Sequence, residues 1–361
     1  MAERVALSVI VTTCDSAPTL ARALSAVRSS ALRPDSYELI VVDDASEDTS
    51  VLVASRYADT VVKLSGRRCG PAYARNRGVE IARGKVVAFV ESDVVVRRET
   101  LPKMLATLSE RPDLGAISAS HDETPGATNF VSLYWNLLLR FGEERHGARC
   151  AEFAVGCGMI RREVFLSSGM YDEWRFATRC LENAELGERL RGAGHSLLLS
   201  PDLKVMHLAR WDAAAVCKEV WRRGRLLARS LGYVRMSSAV PSEVVFTLTR
   251  SLAPALALVG TLTLAAAFLP SSVAITKWVL LMTAALFVTD LPIHRFNART
   301  RGFAFAVAAA PLHTIAQLVS AIALCTGWAL RGILGDQSPD ATTQAYAEVG
   351  LEIWPPVRRR R

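Results

Sequence analysis

No CxxC pair occurs in the 361 residues, and the seven cysteines, at 14, 69, 150, 157, 180, 217 and 325, are scattered and odd in number. The pattern indicates neither a disulfide framework nor a zinc site, and it suits a reducing, cytoplasmic compartment. Neither G-x-G-x-x-G nor G-K-[S/T] is present, and Gly70 and Gly78 are spaced like no phosphate loop. This argues against a dinucleotide-binding dehydrogenase or an ATPase. Internal repeats and low-complexity tracts are missing apart from the arginines at 358–361. No secretory leader is expected, because residues 5–13 alternate like a strand. Half the residues are hydrophobic, mean hydropathy is positive and the net charge is +8. Such a composition excludes disorder and leans toward a membrane protein. The length allows one large domain or two smaller ones.

What is present in the first hundred residues is a succession of β-branched runs. LSVIVTT at 7–13 reads as a strand, followed by a helix from about Pro18 capped by Ser16 or Asp15. ELIVVDD at 38–44 is a second buried strand ending in two acids, then a polar turn into a helix. A short third strand is expected at 61–64, and Gly70 opens a helix that continues through Ala82. The run VVAFVESDVVV at 86–96 reads as a fourth strand, buried on both faces as in a parallel sheet. Strands alternating with helices imply right-handed βαβ units, in which ligands bind beyond the carboxyl ends of strands. Asp43, Asp44, Glu91 and Asp93 all lie at such ends, so two motifs converge on one crevice. Glu91 and Asp93, two apart in an extended chain, point to one side and suit one metal ion or one diphosphate. A plainer reading of the same acids is a helix cap or a solvated strand end. Arg67, Arg68, Arg75 and Arg77 lie on the segment entering the crevice, either as a solvated face or as the cations a diphosphate requires.

In order along the chain, VIVTT at 9–13, VVDDASED at 41–48, GPAYARNRG at 70–78 and FVESD at 89–93 resemble family 2 glycosyltransferases of the GT-A fold. The resemblance continues through FAVGCGMIRR at 153–162, GMYDE at 169–173, LENAELGERL at 181–190 and His207, and so covers roughly residues 5–235. It implies an α/β GT-A domain, Rossmann-like, with a mostly parallel sheet flanked by helices. A donor half is expected at about 1–98 and an acceptor half at about 99–210. By the same resemblance Thr12, Thr13, Asp43 and Asp44 hold the nucleotide's base and ribose, while Arg75 and Asn76 help to position it. Glu91, Ser92 and Asp93 occupy the DxD position, where Asp93 is expected to ligate Mg2+ or Mn2+ on the donor diphosphate. Glu91 keeps the charge of the usual first Asp on a longer arm, and His207 falls near the metal or phosphates. Gly156, Gly158 and Asn183 are expected on the acceptor side. Asn183 stands where the family usually has the aspartate that deprotonates the acceptor, and an amide cannot accept that proton. Glu182 or Glu185, three apart on one helix face, are candidate substitutes; both also suit a solvated helix paired with Arg189 and Arg191. A base from elsewhere, or a phosphate acceptor needing none, is the further alternative.

Residues 244–269, 273–293 and roughly 303–330 are apolar segments near the ~20 residues a bilayer span requires. They are expected to form an all-α membrane region of about three helices over 244–330, followed by a basic tail at 331–361. The basic stretch at 294–301 is expected on the cytoplasmic side, although three spans then place the arginine-rich tail opposite; a division at Pro311 is one way to return it. Residues 211–235 mix Trp and Leu with arginines and read as an amphipathic helix at an anionic membrane surface, with an ordinary solvated helix as the alternative. No nucleic-acid partner is expected. HLARW at 207–211 also echoes the QxxRW motif of processive polysaccharide synthases and ceramide glucosyltransferases.

Together these readings anticipate a multi-pass enzyme of the cell inner membrane with a cytoplasmic catalytic domain. It is expected to move a sugar, with inversion, from a nucleotide-sugar to a lipid-linked or membrane-lipid acceptor, as in assembly of envelope polysaccharide. The alternatives are a polyprenyl-phosphate sugar synthase, a short processive synthase, or a catalytically silent nucleotide-binding scaffold. Oligomeric state, nucleotide base, sugar and linkage are not encoded in any motif.

Overall fold

The two longest apolar runs near the start of the chain become the centre of a nine-stranded sheet because both of their faces are covered. The computed structural model describes residues 5–146, 153, 156–174, 182–234, 290–335 and 350–354. Two compact units are distinguished, one of residues 1–128, 142–210 and 337–361, the other of residues 129–141 and 211–336.

In the first unit, β1 (Leu7–Thr13) and β2 (Tyr37–Asp44) are buried at every position. Alternate side chains serve opposite cores. Val9, Val11, Leu39 and Val41 pack with Leu20 and Leu24 of α1 (Ala17–Arg28), while Ile10, Ile40 and Val42 pack with Ala72 and Val79 of α3 (Pro71–Ile81). Between them run α2 (Ser50–Tyr57) and β3 (Thr60–Ser65). At the start of α1 it is neither Ser16 nor Asp15 that caps: the Ala17 amide donates to Asp48 at 3.0 Å, from the loop after β2.

The run 86–96 is not one strand. It divides into β4 (Val86–Glu91) and β5 (Val94–Val96) around a turn at Ser92 and Asp93. Beyond it follow α4 (Thr100–Glu110), β6 (Leu114–His121), α5 (Phe130–His146), β7 (Cys157–Arg161), α6 (Arg162–Ser167), α7 (Glu182–Gly192) and β8 (Ser196–His207). The sheet order is β5-β8-β6-β7-β4-β1-β2-β3-β9. Only β3-β2-β1-β4 and the β6–β8 pair are parallel, so the expectation of a mostly parallel sheet gives way to a mixed one. The antiparallel entry of β7 between β4 and β6 is what breaks the pattern. The last strand, β9 (Gly350–Trp354), pairs antiparallel with β3, so part of the expected basic tail is an edge strand.

The second unit is helical. It holds residues 129–141 of α5 with α8 (Ala213–Val234), α9 (Leu291–Arg301) and α10 (Phe303–Leu334). The stretch 294–301, anticipated as a loop, lies within α9. Helix α8 occupies residues 213–234 of the stretch 211–235. The apolar segments at 244–269 and 273–289 lie outside the described residues, and the third coincides with α10. Among the described residues α10 is the one helix long and apolar enough to cross a membrane by length and composition.

At the amino ends of β1 and β2, Ser8 donates to Glu38 (2.6 Å) and accepts from the Gly84 amide (2.8 Å). A Cβ on Gly84 would stand 2.5 Å from the Ser8 backbone nitrogen and 2.8 Å from the Val86 oxygen, where backbone cannot yield. Gly84→Ala is therefore expected to cost about 1–3 kcal/mol, read as a lower thermal midpoint with metal binding at the far end of the strands unchanged.

Candidate active site

The carboxyl ends of β1, β2 and β4 lie side by side because their registers align. Thr12 sits opposite Glu91 on β4, and Thr13 opposite Asp43 on β2. His207 arrives from far along the chain through the antiparallel β5–β8 pair, where it is the partner of Val94. The Leu208 amide then donates to the Asp93 carbonyl at 2.7 Å and fixes the corner. Glu91, Asp93 and His207 place one ligand atom each within 4.8 Å of one another, with His207 Nε2 3.2 Å from Asp93 Oδ2. Ligands on opposite sides of a six-coordinate Mg2+ stand ~4.2 Å apart, so small side-chain adjustments bring all three onto one ion. Two carboxylates and an imidazole suit a hard or borderline divalent cation, Mn2+ accepting the nitrogen more readily than Mg2+. The two acids do converge as anticipated, but through the turn at Ser92 rather than along a straight strand.

Asp43 is fully buried, and one of its oxygens accepts from the Ser46 amide (3.1 Å). Its Oδ1 and Thr13 Oγ1, also buried, have no hydrogen-bond partner among the described residues. Two orphaned acceptors on adjacent strand tips are a receptacle for the N–H or O–H groups of a nucleoside. Burial pushes the Asp43 carboxyl above its ordinary range, against the pull of Ser46 and Lys63. Asp44 is engaged differently: it accepts the amides of Cys69 (2.7 Å) and Gly70 (2.8 Å). Gly70, at φ +88°, holds a conformation that favours glycine while opening α3. Asp44 thus sets where α3 begins.

From α3, Arg75 reaches into the interior, 4% exposed, with Glu91 at 3.5 Å, Glu182 at 3.3 Å and the Asn183 Oδ1 at 3.4 Å. Its guanidinium lies over the Tyr171 ring. The Tyr171 hydroxyl, whose pKa burial raises further, donates to Asn183 Oδ1 at 3.1 Å. Asn76 holds the segment carrying Tyr171 by bonds to the Tyr171 backbone (2.9 and 3.1 Å) and to Glu173 (2.7 Å). Glu185 is forked by Arg189 at 2.8 and 2.7 Å, the plainer of its two readings, whereas Glu182 shares Arg75 with the Glu91 side of the cluster. Gly156, at φ +75°, accepts the Glu91 amide through its carbonyl (3.0 Å). Gly158 lies inside the sheet between Phe89 and Ser118. Arg67 and Arg68 are exposed, Arg68 paired with Asp15, and Arg77 is tied to Glu80 and Glu173.

Comparison with known proteins shows what the chain is similar to. The sequence model of Glycosyl transferase family 2 matches residues 8–167. The matched stretch, somewhat less than half of the chain, is similar to that family's domain. Succinoglycan biosynthesis protein ExoO of Rhizobium meliloti (strain 1021) is 32% identical over 200 residues, 53% of this chain and 54% of that protein. Uncharacterized glycosyltransferase YibD of Escherichia coli (strain K12) is 39% identical over 88 residues, 24% of this chain and 25% of its own. The matched stretch therefore spans about half the first relative and a quarter of the second. Among solved structures, mannosyltransferase PcManGT from Pyrobaculum calidifontis, in complex with GDP-Man and Mn2+, superposes with a TM-score of 0.59 at 20% identity, over 84% of this chain and 86% of that one. The two share the GT-A-like fold.

Two features of the site escaped the motifs. Tyr171 lies in GMYDE, a stretch that suggested membership but no role. His121, 2% exposed, ends β6 with its Nδ1–H donating to Glu143 at 2.5 Å and its ring edge-to-face against His207. Its partner is 22 residues away on α5, a spacing that carries no signal.

Two outcomes follow for the cluster. Asp93→Ala is expected to weaken Mn2+ binding, measured by EPR of the free ion, by at least about tenfold. Asp43→Asn removes a carboxylate whose ionisation opposes folding. Below the ordinary carboxylate range folded and unfolded chains are both protonated there, so wild type and variant should melt alike. Above it the variant should be the more stable, the difference growing until pH passes the raised folded value, while its nucleotide affinity falls.

Proposed function

We propose that the chain is a metal-dependent, inverting glycosyltransferase that takes a sugar from a nucleotide-sugar and delivers it to a lipid-linked acceptor at the cytoplasmic membrane face. The observation carrying this reading is the meeting of the orphaned acceptors Thr13 and Asp43 with the Glu91–Asp93–His207 cluster at neighbouring strand tips. The first suits the nucleoside and the second a cation on the diphosphate. A divalent ion held by Glu91, Asp93 and His207 would neutralise the charge that grows on the departing diphosphate. The family 2 match over residues 8–167, and similarity to relatives named as a succinoglycan biosynthesis protein and a glycosyltransferase, support the reaction class.

Within that reaction the chain's residues divide the work. Thr12, Thr13 and Asp43 hold the nucleoside, Asp44 fixes the α3 entry beside it, and Arg75 holds Glu91 and Glu182 in relation to each other. Glu182, at the first turn of α7, is the candidate base that takes the acceptor's hydroxyl proton. Gly156 and Asn183 are assigned to the acceptor side, Gly158 only through its strand.

A second reading rests on Asn183. Its Oδ1 already accepts from Tyr171 and Arg75, so the position that the family usually gives to a base is filled by a structural amide. A polyprenyl-phosphate acceptor, ionised already, needs no base. The two are separated with Glu182→Gln, assayed for nucleotide release and for label entering the lipid fraction. If a hydroxyl is the acceptor, kcat should fall about 10²–10⁴-fold with Mn2+ binding intact. A loss of less than about tenfold with a polyprenyl-phosphate acceptor selects the second reading. Undiminished release by Asp93→Ala would contradict both.

A further inference from the structure

Helix α10 is apolar outside and carries polar side chains among the small residues of its buried side. Phe303, Val307, Ile315, Ile322, Trp328 and Ile333 are each at least half exposed. Every other exposed residue of the helix is Ala, Gly, Pro or Cys. At 3.6 residues per turn these positions fall within one face roughly 160° wide, running about 45 Å along the helix. The opposite side is buried and carries His313, Gln317 and Ser320. His313 joins Tyr134 of α5 at 2.8 Å and Asp290 at 3.5 Å, with Gln317 at 3.2 Å. A surface helix in water shows the reverse arrangement, and an uncharged exposed face of this length marks a contact surface.

The neighbours of α10 state at what depth it lies. Its residues 320–327 run against α8 with no room between backbones: a Cβ on Gly224 would stand 2.9 Å from Ala323 Cβ, and one on Gly327 2.5 Å from the Arg225 carbonyl. Over that same stretch α8 carries Lys218, Arg223 and Arg225 exposed, with Glu219 bonded to Arg222 and Arg223. Such a run of charge does not enter hydrocarbon. On α9, Arg295 and Arg299 are exposed as well, so the solvent-facing charge flanking the apolar face is chiefly positive. After α10 the chain returns to β9, a strand of the same sheet whose other tips bear Asp43 and Glu91. A single crossing by α10 would require another crossing elsewhere to bring β9 back.

We infer that α10 does not span the bilayer but lies in the plane of an anionic leaflet, its apolar face at the boundary of headgroups and acyl chains and the arginines of α8 and α9 on the lipid phosphates. This builds on the proposed membrane location of the acceptor, but it concerns one helix and needs no turnover.

The test places a nitroxide, one at a time, on cysteines substituted at Val307, Ile315, Ile322 and Ile333 of the full chain. The protein is reconstituted in phosphatidylcholine vesicles containing phosphatidylglycerol, and depth is read by EPR power saturation without any nucleotide-sugar. All four labels should report nearly equal, shallow depths of about 5–10 Å, and a cysteine replacing Glu352 on β9 should react from the same side as one replacing Lys218. A depth that changes steadily along the helix and reaches the bilayer centre would overturn the inference. So would labels shielded from both lipid-soluble and water-soluble relaxants, which would mean a protein covers the face. Sugar transfer measured in the same vesicles is a separate readout, so its absence would count against the proposed reaction and not against the helix's orientation.

Discussion

A buried guanidinium has to be neutralised, and the way Arg75 meets that demand governs the geometry of the site. Removed from water, a cation is tolerated only with carboxylates and hydrogen-bond acceptors around it. Arg75 draws these from the tip of β4 through Glu91 and from the start of α7 through Glu182 and Asn183. One side chain therefore ties a metal-side acid to the candidate base. The Tyr171 ring beneath it and the Asn76 latch that holds Tyr171 restrict the movement of the pair. The spacing of Glu91 and Glu182 is set by an arginine that the resemblance assigned to the nucleotide.

The register of the sheet supplies the other half. Parallel pairing of β1 with β2 and β4 puts Thr12 beside Glu91 and, on the next rung, Thr13 beside Asp43. The short antiparallel β5–β8 pair then brings His207 beside Asp93. The candidate metal ligands, from two places in the sequence, thus depend on backbone pairing as well as on the turn between Glu91 and Asp93. Among them, the turn at Ser92 is the one local feature that re-aims an acid.

Much of this was legible from residues. The stretches 7–13 and 39–42 hold no charge, and a strand buried on both faces is the one way to use them. The helix at 211–235 was legible from its mixture of Trp, Leu and Arg. What stayed hidden has physical reasons. VVAFVESDVVV is apolar enough to look like one strand, and nothing in ESD announces a turn. LGAISASH and CGMIR are short and rich in small residues, so the antiparallel half of the sheet left no periodicity. LEIW at 351–354 alternates over too few residues to separate an edge strand from a tail. The His121–Glu143 pair joins a strand end to a helix across 22 residues, and only the tertiary fold brings such groups together. In α10 hydropathy gave the composition, whereas whether an apolar helix crosses or lies flat is decided by what its polar side touches.

The central claim is that the orphaned acceptors on β1 and β2 and the Glu91–Asp93–His207 cluster belong to a single donor site. Titration of Mn2+ by EPR, in the absence and presence of a saturating nucleoside diphosphate, tests it most directly, because two ligands sharing one site must change each other's affinity reciprocally. The account predicts that the diphosphate tightens Mn2+ binding by about tenfold or more, and that Asp43→Asn reduces this coupling while leaving Mn2+ binding alone unaffected. Equal Mn2+ affinity with and without the nucleotide would contradict it.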